Sequence, residues 1–381
     1  MKQSLALVPV SLVAAALFAS ALPGCKKPKP AHTIGLALDV GGRGDQSFND
    51  GALRGLETMA AGLRYTARGY EPLPDAEYGK LELHPAHLPI PQPLVLSGKA
   101  QEDYEPNLQL LVDQGAELVI AVGFMMEPSV RAVAARNPSA KFFLIDSPIL
   151  DAAGKPTVMP NVRAVVFKEH EGSFLAGALA GELSKTSKLG FVGGMQLPLI
   201  RKFEAGYRAG VRSVNPKAEV LVAYTGTFDD EKKGVEVAQD LYGRGCDIVF
   251  HAAGLDGLGV IKAAQQANKL VIGVDSDQSH VAPKNVLTSM VKHADLAVYL
   301  AVKDVLAGKL AGGDVVLGLK EDGVGLAPLM PGVDAGVLAD VDLLRKAIVG
   351  GQISVPATLD ELAKFQPPAS LGLSHAVAAA R

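Results

Sequence analysis

From Thr33 to Val274, short apolar runs alternate with longer stretches of helical periodicity, and that alternation leaves the chain few architectures. The runs are Thr33–Leu38, Glu117–Val122, Lys141–Ile145, Lys188–Val192, Glu219–Ala223, Asp247–His251 and Leu270–Val274. Several are apolar throughout, as parallel strands covered on both faces require. Helices are predicted between them at Asp50–Leu63, Glu127–Arg136, Glu169–Leu183, Lys202–Val214, Asp230–Tyr242 and Gly257–Asn268. In Asp230–Tyr242, the residues Val235, Ala238, Leu241 and Tyr242 recur at helical spacing, and acidic residues occupy the first turn. Strand–helix alternation of this kind makes an α/β fold with doubly wound parallel sheets. A chain of 381 residues exceeds one typical domain of about 150. The units at 33–145 and 188–274 repeat the same order, which points to two lobes rather than one unbroken sheet.

The N-terminal 25 residues read as an export signal. Met1-Lys2-Gln3 is a short positive start, and the apolar run Leu5–Leu17 is too short to span a bilayer, which takes about 20 apolar residues. Leu22-Pro23-Gly24-Cys25 then has the form of a lipobox, with Cys25 as the residue that carries the lipid. Lys26-Lys27-Pro28-Lys29-Pro30 reads as a tether, so the mature protein is expected to be anchored outside the cytoplasm rather than to cross the membrane. The alternative is an ordinary signal peptide with a chance cysteine. Lys26 after Cys25 lacks the Asp that often marks inner-membrane retention.

Charge removes other classes. There are 37 Lys and Arg against 40 Asp and Glu, a net −3, which argues against a nucleic-acid binder working through a basic field. Two cysteines build neither a disulfide framework nor a Cys-rich zinc site, and Cys246, leading into an apolar run, reads as a small buried hydrophobe. Tyr70–Gln101 carries Pro72, Pro74, Pro85, Pro89, Pro91 and Pro93, so it is not expected to be a regular element but a surface insertion with room for one edge strand. His84 and His87 within it lack the further ligands that zinc needs. No metal or cofactor is expected.

The informative segment follows the first strand: Asp39-Val40-Gly41-Gly42-Arg43-Gly44-Asp45-Gln46-Ser47-Phe48-Asn49-Asp50. In parallel sheets, ligands bind outside the carboxyl ends of the strands. The glycines do not form G-x-G-x-x-G and no Gly-Lys-Ser/Thr follows, so dinucleotide and P-loop readings are weak. The loop instead offers carboxylates Asp39 and Asp45, the amide Asn49 and the ring of Phe48. Carboxylates repel phosphates, while Asp and Asn suit hydroxyls and base edges, and Phe48 could stack on a planar ring. From local physics alone an alternative stands beside this one: Ser47 or Asn49 caps the helix and Phe48 packs as a hydrophobic staple.

Asp39-Val40-Gly41-Gly42 followed by Asp45-Gln46-Ser47-Phe48-Asn49 resembles the opening signature of the basic membrane protein family, which includes purine nucleoside receptor lipoproteins of ABC transporters. The resemblance continues through Asn161-Val162, Phe174-Leu175-Ala176-Gly177, Gly190-Phe191-Val192-Gly193-Gly194-Met195 and Phe203-Glu204-Ala205-Gly206-Tyr207. It extends to Gly273-Val274-Asp275-Ser276-Asp277-Gln278 and Thr288-Ser289-Met290-Val291-Lys292. Together these motifs span most of Thr33 to about Gly308 in the family's order. The Pro-rich insertion has no counterpart, and Leu255-Asp256 stand where the family usually shows Gly-Thr.

The resemblance implies a type I periplasmic-binding-protein fold, two doubly wound lobes joined by three crossings near Phe167, Asn285 and Lys309. The N-terminal lobe would be 32–167 with 286–308, and the C-terminal lobe 168–285 with 309–365. Residues 1–25 would be the signal, 26–31 the tether and 366–381 a frayed tail. It further implies a monomeric, non-enzymatic protein that holds a nucleoside, a purine by preference, and presents it to a permease. Phe48 and Phe203 would sandwich the base, and Asn49 with Asp39 or Asp45 would address its polar edge. Asp275 and Lys292 would grip the ribose, Gly254 would give backbone access, and Phe124 is a further wall candidate. By residue type alone Asp275 could be a loop cap, Lys292 a solvated strand end and Phe203 a core residue. The competing classes are a secreted nucleoside hydrolase using Asp39, Asp45 and Asp275, and the same fold holding a sugar or signalling molecule. Hydrolases of that kind usually need a tight Asp cluster around calcium, and no Gly-x-Ser-x-Gly elbow supports serine chemistry.

Overall fold

The computed structural model describes residues 32–60, 63–66, 69–72, 93–367 and 373. The expected signal segment with Cys25, the expected tether, most of the Pro-rich insertion with His84 and His87, and nearly all of the expected frayed tail lie outside the described residues.

Two six-stranded sheets carry the chain. The first is built from β1 (Ile34–Leu38), β4 (Leu94–Ser97), β5 (Leu118–Val122), β6 (Lys141–Ile145), β7 (Val162–Phe167) and β13 (Gly313–Leu317), in the order β13-β7-β6-β5-β1-β4. Every pairing in it is parallel. The second contains β8 (Lys188–Gly193), β9 (Glu219–Tyr224), β10 (Ile248–Ala252), β11 (Leu270–Asp275), β12 (Val286–Lys292) and β14 (Val324–Leu326), in the order β14-β12-β11-β10-β8-β9. Only β14 runs antiparallel there. A separate hairpin joins β2 (Leu63–Thr66) to β3 (Gly69–Pro72). The helices are α1 (Phe48–Ala60), α2 (Tyr104–Asp113), α3 (Glu127–Arg136), α4 (Glu169–Leu183), α5 (Pro198–Val214), α6 (Glu231–Gly243), α7 (Asp256–Ala267), α8 (Ala294–Leu306), α9 (Ala335–Val349) and α10 (Leu359–Lys364).

The seven expected strands form within a residue or two of the predicted bounds, and β1, β5 and β10 are buried at every position. Continuous apolar runs do this because helices cover both faces of a parallel sheet. The edge strand allowed within the insertion is β4. Gly69–Pro72 also pairs, with Leu63–Thr66, so Tyr70–Pro72 is regular where none was expected, and α1 stops at Ala60 instead of reaching Leu63.

The first crossing lies where it was expected: β7 ends at Phe167 in the first sheet, and α4 leads to β8 in the second. The other two are displaced. Val286–Lys292 pairs in parallel with β11, so it belongs to the second sheet, and the chain crosses back after Lys292 rather than at Asn285. The third crossing falls between Leu317 and Val324 rather than near Lys309, because β13 pairs with β7. An apolar run fits either sheet, and in each case a neighbouring strand with an open edge decides which. α8 then packs on α1 in the first lobe, as expected.

Candidate functional site

The carboxyl ends of both sheets converge on one cleft of about 540 Å³ of empty space, part of it open to solvent. It is lined by Asp39, Asp45, Phe48, Asn49, Phe124, Phe203, Gly254, Asp275 and Lys292, every ligand residue expected from the sequence, together with Asp146, Phe228 and Leu255.

The loop after β1 is held by its own acids. Asp45 Oδ1 accepts from the N–H groups of Ser47 (2.9 Å) and Asp50 (3.1 Å), and its Oδ2 accepts from that of Asn49 (2.8 Å). The N–H groups of Asn49 and Asp50 are donors that a helix start leaves unsatisfied, so the side chain of Asp45, not that of Ser47 or Asn49, caps α1. Asn49 Nδ2 donates to Asp39 Oδ1 at 2.7 Å and to Asp45 Oδ2 at 3.0 Å, and its Oδ1 accepts from the Asp39 N–H at 3.2 Å. Its amide therefore ties the two acids together. Burial pushes both Asp39 and Asp45 up to about 6, against the hydrogen bonds that favour their charged forms.

At the cleft floor the ends of β6, β11 and β12 meet. The Lys292 ammonium lies 2.6 Å from Asp146 Oδ2 and 3.7 Å from Asp275 Oδ1. All three side chains are under a tenth exposed. Burial opposes the lysine's charge, but Asp146, then Asp275 and Glu169, outweigh it and hold the group above its ordinary range. Burial raises Asp275 despite Lys292 and a 2.7 Å bond from Ser47 Oγ, and the nearby Asp146 carboxylate adds to the rise. Asp146 Oδ1 and Asp275 Oδ1 are buried without hydrogen-bond partners. Both residues sit at positive φ, 77° and 63°, a conformation an Asp tolerates better than most residues. Two unsatisfied acceptors beside a cation suit a ligand bearing hydroxyl groups.

Aromatic rings form the walls. Lys292 Nζ stands over the Phe48 ring at 4.3 Å and lies 5.7 Å from the ring centres of Phe167 and Phe203. Such contacts stabilise a desolvated ammonium. Phe203 is within α5, which starts at Pro198 rather than at Lys202. Phe124 and Phe228 reach from opposite lobes into an edge-on contact, with centroids 6.4 Å apart. Gly254, at φ 55°, packs against the Phe228 backbone and ring.

Sequence reasoning missed Asp146 and Phe228. Asp146 follows an apolar strand just as Asp275 ends one, so the same signal was present. Phe228 lies in the polar loop after β9 and carries no periodic signal. Among the described residues no cluster of His, Cys, Asp and Glu is arranged to hold a metal ion, and no helix is long and apolar enough to cross a membrane. Cys246 is buried, and that burial pushes its thiol up to about 11, so it is an inert packing residue.

The chain matches a family described as PnrA-like ABC transporter substrate-binding proteins (Bmp) over residues 33–358. It is 33% identical over 352 residues to the CD4+ T-cell-stimulating antigen of Listeria innocua, covering 87% of this chain and 90% of that one. It is 31% identical over 386 residues to the ABC transporter nucleoside-binding protein BmpA of Lactococcus lactis subsp. cremoris, covering 92% and 98%. An ABC transporter solute-binding protein from Aeropyrum pernix K1, 26% identical, superposes with a TM-score of 0.73 over 87% of this chain and 96% of that one.

Proposed function

Because the chain belongs to the Bmp family of PnrA-like ABC transporter substrate-binding proteins, we propose that it captures a nucleoside, purines foremost, for uptake through a permease. In this reading Cys25 carries a lipid that anchors the protein outside the cytoplasm, residues 26–31 tether it, and it acts as a monomer without catalysis. The observation that carries the reading is the cleft's combination of aromatic walls from both lobes with the Asp146–Lys292–Asp275 floor. A flat base would stack on Phe48 against the second-lobe wall of Phe203 and Phe228, with Phe124 at the side. Asp39 would accept from the base edge, held by Asn49 and Asp45. The unsatisfied oxygens of Asp275 and Asp146 would accept from ribose hydroxyls, Lys292 would donate to them, and Gly254 would leave the backbone accessible.

Stacking contributes about 1–3 kcal/mol per base and a hydrogen bond to a charged group about 1.5–3. Less the costs of association and closure, about −8 kcal/mol remains, a micromolar dissociation constant or better. That affinity needs no catalytic group. Mass spectrometry of small molecules carried through purification should identify a nucleoside. Calorimetry should then rank purine nucleosides above pyrimidine nucleosides, and both above free bases and ribose. Equal binding of nucleoside and free base would remove the ribose assignment. Binding of a sugar alone would redirect the site to that ligand, and release of free base during incubation would turn the protein into a hydrolase.

A further inference from the structure

Glu169 opens α4 directly after the first crossing and is wholly buried. Its Oε2 lies 3.3 Å from the ammonium of Lys202 on α5, which also donates to the Phe167 carbonyl at 3.4 Å. One head group thus holds both ends of the crossing, the last residue of a first-lobe strand and the first residue of a second-lobe helix. Glu169 Oε1 is buried without a hydrogen-bond partner. The same Phe167, held through its carbonyl by Lys202, has its ring 5.7 Å from the ammonium of Lys292, whose charge Glu169 helps to hold. Glu169 does not itself line the cleft.

A buried carboxylate with an idle oxygen is costly unless cations surround it, and an apolar pair would fasten a hinge at less expense. What the charge adds is an electrostatic hold on Lys292. We propose that Glu169 and Lys202 are positioning residues for ligand capture: the pair pins the first crossing, whose Phe167 ring neighbours Lys292, and adds a buried negative charge that helps keep the Lys292 ammonium at the cleft floor. The proposal rests on the reading that Lys292 grips the ligand.

The surroundings give this arrangement a pH signature. Burial drives Glu169 up to about 6, against the pull of Lys202 and Lys292, and Asp146 adds to the rise. Lys168 and His170 flank it, and His170, pushed down to about 4 chiefly by burial, is neutral near pH 6. When Glu169 takes up a proton, Lys202 loses its partner and Lys292 loses a counter-charge, so affinity falls as the pH drops through that point. Asp39 and Asp45 also lie at about 6, and burial raises Asp275 as well; these cleft carboxyls supply whatever pH dependence remains without Glu169.

The test is calorimetric titration of inosine from about pH 5 to about pH 8 into wild type, Glu169→Gln, Lys202→Met and the double variant. The distance between nitroxides placed one per lobe is measured in the same four proteins. Glu169→Gln should bind roughly five- to tenfold more weakly at neutral pH and lose part of the decline near pH 6. The double variant should bind no worse than Glu169→Gln, because Lys202 has then lost its main partner, and both single variants should broaden the inter-lobe distance. Unchanged affinity in Glu169→Gln, or a loss equal at every pH, would overturn the role, since lost packing alone gives the latter. Fully additive penalties would overturn it too. If wild type binds no nucleoside, the reading of the cleft fails, and the distances then decide: no change in Glu169→Gln overturns the positioning role.

Discussion

Lys292 is the residue on which the cleft floor is balanced, with Asp146 at 2.6 Å, Asp275 at 3.7 Å and the Phe48 ring beneath its ammonium. Removing one member of a buried charge pair leaves the other uncompensated, which typically costs about 3–5 kcal/mol. Lys292→Met is therefore expected to destabilise the protein by roughly that amount at neutral pH, and by less in acid, where protonation relieves the stranded carboxyl of Asp275. Chemical denaturation at both pH values checks it, and a loss that does not depend on pH would deny the charge its role. Phe48→Ala should lower nucleoside affinity by about 1–3 kcal/mol, and unchanged affinity would return Phe48 to core packing. The denaturation midpoint belongs beside that measurement, because Phe48 is also part of the main hydrophobic core. Asp275 and Lys292 were legible in the sequence because a charge ending an apolar run has to face something. Asp146 gave the same signal without a family motif to draw attention to it. What the sequence does not carry is the partnership: the lysine's nearest acid is 146 positions away.

At the level of elements, α4 and α5 pack directly against each other in the second lobe. A Cβ added at Gly210 would fall 2.0 Å from the Phe174 carbonyl, and one at Gly177 would fall 2.0 Å from that of Tyr207. The helices touch backbone to backbone at these points, and no larger residue fits without moving them. Gly210→Ala is expected to cost about 1–3 kcal/mol or more, and since α5 carries Phe203 and Lys202, ligand affinity should fall with it. Thermal melts and titrations on one preparation test this, and a variant as stable as wild type would show that the helices can part freely. Strands were readable because a buried parallel strand is apolar throughout. Their allocation to sheets was not: Val286–Lys292 has the same composition whether it extends the first sheet or the second. Its place follows from the open edge of β11, a tertiary fact, so the second and third crossings were misjudged while the first was found.

For the whole molecule, the buried ionisable groups make stability depend on pH in a direction that can be worked out. Unfolded carboxyls titrate near pH 4. In the folded protein burial carries Asp39, Asp45, Glu169 and Asp256 up to about 6 and Glu182 up to about 7, and it raises Asp275 and Asp314 as well. Above pH 4 the folded state therefore holds more protons than the unfolded chain, and these groups remove stability as the pH rises through their folded values. His170 and His251 act the other way. Burial takes both down to about 4, so the unfolded chain binds more protons below about 6.5 and stability is lost as the pH falls. Asp295, lowered by His293 and Arg54 against its burial, works with them. Between about pH 4 and pH 7 the seven raised carboxyls outweigh the two histidines, while Asp295 titrates below that window, so the ligand-free protein is most stable in acidic solution near pH 4 and loses stability up to about pH 7, beyond which the profile is level. Thermal melts across that range test the sign, and a melting temperature that climbs steadily over those pH values would contradict it. Glu182→Gln, remote from the cleft, should flatten the stretch between about pH 6 and pH 7 without changing affinity. A nucleoside donating to Asp39 and Asp275 would favour their ionised forms, so saturation with ligand should flatten the profile further and stabilise the protein most where the empty protein is weakest, above neutrality.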